Sequence, residues 1–462
     1  MSTLSIRTII FFLFILFITS CRKADFTEAI TADSNVAAIN AAVKPNIILI
    51  LADDVGYETP NYTGGQSYST PGLNYMAANG TRFTNCYTAP LCSPSRFMLM
   101  TAKYNFRNYT TWGKMDTTEH TIANLLKKAG YATCVTGKWQ FDGGDASIRA
   151  LGFNKYLVSN PFNPDEDDAA ISMYKNPQVY EKGKYWPASK VEGKYGEDLF
   201  RDYMFDFIDD NKNKKPFFIY WSLNLVHKPF SPTPDDPEFA SWNPLKKQQP
   251  GDSIYYPSMV KYMDKLVGQL LTKLQADSLQ SKTLVLFVGD NGSAAGIHSL
   301  WNGQVVEGGK SSPTAAGTHV PMVAYMRGHV IPNVDDTSLI SLVDFMPTLA
   351  KVGGTNIPKS YGTTDGISFY KQLLGNYTGA RPWVFCHFPG AGKNETDPLF
   401  LKRWMNDHNY KQYDSLPNAK FSKRFFNIKL DPAEQHPIPF ANMTPKEKTI
   451  SKEFLANMKQ LH

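Results

Sequence analysis

Apolar residues along this chain follow two different periods. Pro45-Asn-Ile-Ile-Leu-Ile-Leu51, Phe217-Phe-Ile-Tyr-Trp221 and Thr283-Leu-Val-Leu-Phe-Val288 are short runs rich in β-branched and aromatic residues, and Pro321-Met-Val-Ala-Tyr325 is a weaker example. A run without polar interruption suits a strand buried on both faces, as in the middle of a parallel sheet. Between these runs the period lengthens to that of a helix. Ile122, Leu125 and Leu126 share one side of the segment Thr121 to Lys128, which stops at Gly130. Leu199 to Ile208 repeats the pattern. The clearest case runs from about Ser258 to Leu274, with Met259, Met263, Leu266, Val267, Leu270 and Leu274 at helical spacing. These stripes predict core and carry no chemistry.

Strands alternating with helices predict an α/β fold, a mainly parallel central sheet with helices on both faces. Beyond residue 372 the pattern breaks into Pro-, Asn- and Lys-rich stretches with short aromatic segments, Arg381-Pro-Trp-Val-Phe-Cys-His387 and Arg424-Phe-Phe-Asn-Ile428. We therefore expect a catalytic domain over 44–372 and a smaller C-terminal α+β subdomain over 373–462, with a short antiparallel sheet.

The first 43 residues differ from both. Arg7 precedes an apolar run from Ile9 to Ile18, which is too short to cross a bilayer comfortably and reads as a secretory signal. Ile18-Thr19-Ser20-Cys21 resembles a bacterial lipobox, which implies a signal peptide over 1–20, lipidation of Cys21 and a polar tether over 21–43. The expected address is the bacterial cell envelope, by a lipid anchor in the membrane. The other cysteines, Cys86, Cys92, Cys134 and Cys386, fall in no CxxC or Cys/His spacing, which argues against zinc and against a disulfide framework. A net charge of +6 is mild, and no basic tract is interleaved with aromatics, so nucleic acid is not an expected partner.

In an open α/β sheet the site lies beyond the carboxyl ends of the strands. Three chemically loaded clusters fall there: Asp53-Asp54 after the first run, His227 after the second, and Asp290-Asn291 after the third. Asp290-Asn291-Gly292-Ser293 taken alone is a turn, since Asn-Gly is a strong turn signal. Paired acids at the end of an apolar strand are costly unless a cation or hydrogen bonds compensate them. Three carboxylates and one amide oxygen are hard ligands suited to Ca²⁺ or Mg²⁺.

The segment Cys92-Ser-Pro-Ser-Arg-Phe-Met-Leu-Met-Thr-Ala-Lys-Tyr104 resembles the signature of the type I sulfatases, within the alkaline-phosphatase-like superfamily. Further motifs follow in the family's order over roughly residues 44 to 440: Gly137-Lys138-Trp139-Gln140, His227-Lys-Pro-Phe230, Asp290-Asn-Gly292, and Lys310 with Gly317 and Pro321. Asp344-Phe-Met-Pro-Thr348 and Leu430-Asp-Pro-Ala-Glu434 are fainter echoes. The resemblance implies that a maturation enzyme oxidises Cys92 to formylglycine, whose aldehyde hydrate is the nucleophile. It implies one Ca²⁺ held by Asp53, Asp54, Asp290 and Asn291, with an oxygen of modified residue 92 completing the shell. Lys138 and Lys310 would clamp the sulfate, Arg96 would stabilise the ionised hydrate, and His227 would protonate the departing alkoxide.

Two departures stand out. Gln140 occupies the place of a histidine thought to take the hydrate's proton when sulfate is expelled, and glutamine is no base. Ala102-Lys103 replaces the common Gly-Arg. The expected function is hydrolysis of sulfate monoesters, on a sulfated carbohydrate. The alternatives are a phosphodiesterase or phosphonate monoester hydrolase of the same superfamily, and a non-catalytic lipoprotein that binds sulfated glycans. Trp112, Trp186, Trp301 and Trp383 are candidate sugar platforms, although tryptophan is more often core.

Overall fold

Alternation within the apolar runs is what places them between two layers. In the first strand, β1 (Asn46–Ala52), Ile47, Leu49 and Leu51 join one hydrophobic cluster while Ile48, Ile50 and Ala52 join another. Successive side chains of a strand point to opposite faces, so a run with no polar member needs cover on both. The helix Tyr256–Ala276 supplies cover on one side, burying Met259, Met263, Leu266, Val267, Leu270 and Leu274. The helix Ile122–Lys128 packs into the other cluster through Ile122, Leu125 and Leu126.

The structure, a computed structural model, describes residues 44–159, 172–389, 401–415 and 421–461. The expected signal peptide, Cys21 and the tether lie outside the described residues. After β1 come β2 (Thr81–Tyr87), β3 (Ala132–Lys138), β4 (Lys155–Ser159), β5 (Val179–Glu181), β6 (Lys184–Tyr185), β7 (Phe217–Ser222) and β8 (Thr283–Gly289). A hairpin, β9 (His298–Trp301) and β10 (Gln304–Glu307), leads to β11 (His319–Tyr325) and β12 (Val334–Ser341). All but the hairpin strands form one sheet in the order β12-β2-β11-β8-β1-β7-β3-β4-β5-β6. Its centre, β8-β1-β7-β3-β4, is parallel, in register Ile48 to Ile219 and Ile48 to Val285.

β11 runs antiparallel to both of its neighbours, β8 and β2. Its amino end therefore lies at the edge where the parallel strands have their carboxyl ends. The loop that precedes it, with Lys310, arrives at the same edge as Asp53 and Asp290. Beyond the main sheet, β13 (Val384–Phe388), β14 (Lys402–Asn406), β15 (Tyr410–Tyr413) and β16 (Phe425–Asn427) form the expected antiparallel sheet. Cys86, Cys92, Cys134 and Cys386 are buried and form no disulfide.

Candidate active site

Each strand end contributes one or two groups. Asp53 and Asp54 follow β1, and both are fully buried. The backbone at Asp53 is clasped by the loop after β7: Asp53 N–H donates to Leu225 O at 2.9 Å and Val226 N–H to Asp53 O at 2.7 Å. Asp54 has φ 59°, a left-handed conformation that aspartate tolerates better than most residues. That turn aims its N–H at Asp290 Oδ1, 3.1 Å away, and Asn291 Nδ2 donates to Asp54 Oδ1 at 2.7 Å.

Cys92 opens the buried helix Cys92–Thr101, with Leu91 as its N-cap. The helix begins two residues before Pro94, which sits in the first turn where its missing N–H costs nothing. Arg96, one turn on, lies on the same face. Its guanidinium donates to Asp290 Oδ2 at 2.9 Å and to Ser222 Oγ, and stands 3.5 Å from Asp53 Oδ2. Ser222, the last residue of β7, carried no sequence signal beyond its place at a strand end.

Lys138 ends β3. Gly137 before it has φ 92°, and a Cβ there would meet Ser222 O at 1.9 Å, so only glycine permits this approach of β3 to β7. Lys138 Nζ donates to Asp53 Oδ2. Lys310 Nζ lies 2.7 and 2.8 Å from the two carboxylate oxygens of Asp54. Gln140, at φ 65°, donates from Nε2 to Cys92 Sγ at 2.9 Å. His227 Nε2 stands 3.9 Å from Asp54 Oδ2, while its Nδ1 meets the carbonyl of Lys228. That contact makes Nδ1 the protonated nitrogen of the neutral ring and leaves Nε2 facing the cluster.

Two groups hold the His227 loop from behind, and neither was apparent in the sequence. Glu197 Oε1 accepts from Asn224 N–H at 2.8 Å and from Asn224 Nδ2 at 2.9 Å. Tyr174 OH donates to the carbonyls of Asn224 and His227. An acid in the first turn of the helix Gly196–Asn211 reads as an ordinary helix start, which is why Glu197 gave no signal.

The electrostatics are those of a charged cluster out of water. Burial pushes the Asp53 carboxyl up, but Lys138, His227, Arg96 and Lys310 together outweigh it and hold the group below the usual carboxylate range. Burial, with Asp53 beside it, lifts Asp290 to about 7 against Arg96. Burial also raises the Cys92 thiol, Lys138 and Lys310 opposing and Asp53 and Asp290 adding to the rise. A thiol so raised is a poor nucleophile. His227 is lowered to about 4 by burial and by the two lysines.

Asp53, Asp54, Cys92, Arg96, Lys138, Gln140, His227, Asp290, Asn291 and Lys310 thus meet at one edge of the sheet. Ligand atoms of Asp53, Cys92 and Asp290 lie within 4.8 Å of one another, as do those of Asp53, Asp54 and His227. Two buried acceptors, Asp53 Oδ1 and Asn291 Oδ1, have no hydrogen-bond donor. Buried acceptors of this kind need a partner, and carboxylate and amide oxygens converging around them fit a hard cation. Of the departures, Lys103 pairs with Glu119 at 2.7 Å, and Ala102 has φ 56° at the helix C-cap, where glycine is the easier fit. Trp301, one of the four candidate platforms, donates from Nε1 to Thr63 O at 2.7 Å.

Residues 45–355 match the family model described as Sulfatase. N-acetylgalactosamine-6-sulfatase of Mus musculus is 30% identical, over 79% of this chain and 72% of its own length. Arylsulfatase G of Rattus norvegicus is 29% identical, over 88% of this chain and 85% of its own. The crystal structure of Ps i-CgsB superposes with a TM-score of 0.72 at 23% identity, covering 90% of this chain and 92% of that one, a likeness of fold.

Proposed function

The chain belongs to the sulfatase family of sulfuric ester hydrolases, and from that premise we propose that it cleaves the sulfate monoester of a sulfated carbohydrate at the cluster around Cys92. Its fold is alkaline-phosphatase-like. The carbohydrate reading draws on the N-acetylgalactosamine-6-sulfatase relative. The observation that carries the site is the meeting of Cys92 with Asp53 and Asp290 inside 4.8 Å, beside two lysines and His227.

Asp53, Asp54, Asp290 and Asn291 would hold a Ca²⁺ ion together with an oxygen on residue 92. That ion and the aldehyde hydrate of an oxidised Cys92 supply Lewis acidity and a nucleophilic oxygen. The chain's own groups do the rest. Lys138 and Lys310 turn their ammonium groups from the aspartates to the sulfate oxygens and hold the sulfur in place. Arg96, bonded to Asp290 and close to Asp53, keeps those carboxylates oriented toward residue 92. His227 carries the proton at Nε2 to the departing alcohol oxygen. Its low proton affinity in this cluster rises when a sulfate anion neutralises the lysines that lower it. Gln140 keeps its hydrogen bond on the side chain of residue 92 but takes no proton.

The test is the mass of the peptide carrying residue 92 after co-expression with a formylglycine-generating enzyme, followed by turnover of an aryl sulfate and of a phosphate diester. We expect oxidised residue 92 and preference for the sulfate monoester. An unmodified cysteine, or a clear preference for the diester, would sink this reading. Oxidation of residue 92 with sulfate binding and no turnover would support the glycan-binding alternative, which Gln140 favours.

We also propose export and anchoring through Cys21, supported by the apolar run Ile9 to Ile18 and the Ile18-Thr-Ser-Cys21 motif. Incorporation of labelled palmitate, lost in Cys21→Ser, is the expected result.

A further inference from the structure

The loop that carries Lys310 is pinned on two sides. In front, Lys310 N–H donates to Ser293 O at 3.0 Å and Ser311 N–H to Pro90 O at 2.8 Å, which ties the loop to the segments of Asp290 and Cys92. Behind, its carbonyls and N–H groups meet side chains of the C-terminal sheet. Lys411 Nζ donates to Pro313 O at 2.7 Å and to Glu434 Oε1 at 2.7 Å. Glu434 Oε1 also accepts from Ala315 N–H at 3.0 Å, and Glu434 Oε2 accepts from Tyr413 OH at 2.6 Å.

This is a buried ion pair, both side chains at most 3% exposed. Lys411 and Tyr413 are two apart on β15 and so share a face, and the ammonium group lies 4.2 Å from the Trp404 ring centroid and 5.0 Å from that of Tyr413. Burial lowers the proton affinity of Lys411, and Glu434 opposes the loss. A buried pair of this kind is a weak source of stability, because desolvation of both ions offsets their attraction, and apolar residues of similar volume often serve as well. What apolar residues do not provide is direction. Among the described residues, the side-chain hydrogen bonds that the pair makes outside β15 end on Pro313 and Ala315, three and five residues from Lys310.

We propose that Lys411 and Glu434 are positioning residues for Lys310, so that the C-terminal sheet is a working part of the sulfate clamp. The proposal rests on the reading of Lys310 as a sulfate-holding group.

A double-mutant cycle on the full chain tests it, with the affinity for inorganic sulfate by calorimetry and the KM for an aryl sulfate as readouts. Lys411→Met should weaken sulfate binding and raise KM by about tenfold, with a smaller change in kcat, since it severs hydrogen bonds to a charged group. In a Lys310→Ala background the same substitution should change sulfate affinity less than about twofold, because the group it positions is gone. Lys411→Met combined with Glu434→Met should recover the melting temperature without recovering sulfate affinity, which separates placement from folding. Equal losses in both backgrounds, or recovery of affinity in the double methionine variant, would overturn the proposal. A chain supplied with Ca²⁺ that binds no sulfate before any substitution overturns the reading of the site itself, and the proposal with it.

Discussion

Gln140 is one side chain whose chemistry would, on the proposed mechanism, limit what its neighbours can complete. It donates to Cys92 Sγ from a left-handed backbone position, and its Oε1 is buried without a partner. A side-chain amide there orients residue 92 but is no base for the step that frees sulfate. Histidine at this position restores a group that titrates near neutrality. Gln140→His should therefore raise kcat for an aryl sulfate at least about tenfold, within the range of general base catalysis, with little change in KM. Steady-state kinetics at pH 7 decide it, and an unchanged kcat would show that another group already takes the proton. The departure itself was visible in the sequence, because it sits inside Gly137-Lys138-Trp139-Gln140. The left-handed backbone that aims it at Cys92 was not, since nothing about a glutamine announces a positive φ. The same holds for Asp54.

The long buried elements were the most legible. β1, β7 and β8 are apolar on both faces, so the pattern marked them without ambiguity, and the 21-residue helix Tyr256–Ala276 was marked by its stripe. β2 is half-buried and carries Thr81, Arg82, Thr84 and Asn85, so no apolar run announces it. β11 was seen as a strand, but its direction depends on pairing with β8 and β2, which local sequence does not encode. The helix Gly196–Asn211 was also seen, yet its contribution to the site was not. Its Glu197 is buried, holds Asn224 on the His227 loop through one oxygen, and leaves the other without a donor. Burial lifts its carboxyl from the ordinary 4.5 to about 7. A folded-state pKa raised in this way stabilises the fold fully below 4.5, and that advantage fades as pH rises to about 7, because the unfolded chain ionises first. The whole effect is up to about 3 kcal/mol. Glutamine keeps an oxygen for Asn224 and carries no charge. The melting temperature of Glu197→Gln should equal or trail that of the unsubstituted chain at pH 4.5 and exceed it by a growing margin toward pH 8. A margin that stays constant across that range would show that the Glu197 carboxyl ionises as readily in the folded protein as in the unfolded chain.

At the scale of the whole molecule, the ends of β1, β3 and β8, the helix after β2 and the loops before β11 and after β7 deliver three carboxylates and three permanent cations to one buried volume. Asp53, Asp54 and Asp290 oppose Arg96, Lys138 and Lys310, and the sum is close to neutral. Neutrality creates a competition. Lys138 and Lys310 rest on Asp53 and Asp54, and they can hold a sulfate only by leaving them. Two carboxylates left without counter-charge inside a protein cost several kcal/mol each, so sulfate alone should bind poorly. A divalent cation among Asp53, Asp54, Asp290 and Asn291 changes the sum. It compensates the aspartates, releases both lysines, and leaves a net positive charge that a sulfate ester completes. Metal and sulfate should then each strengthen the other's binding, by the same factor in both directions. We expect chelation to abolish turnover and to weaken inorganic sulfate binding by at least about tenfold, and Ca²⁺ to restore both and raise the melting temperature. Reciprocally, sulfate should tighten Ca²⁺ by the factor that Ca²⁺ tightens sulfate, when both titrations are done by calorimetry. Lys310→Ala should shrink that shared factor, because one of the two groups handed over is missing. Sulfate affinity that is indifferent to the metal would mean that the lysines bind it without leaving the aspartates, and the exchange of partners would be wrong.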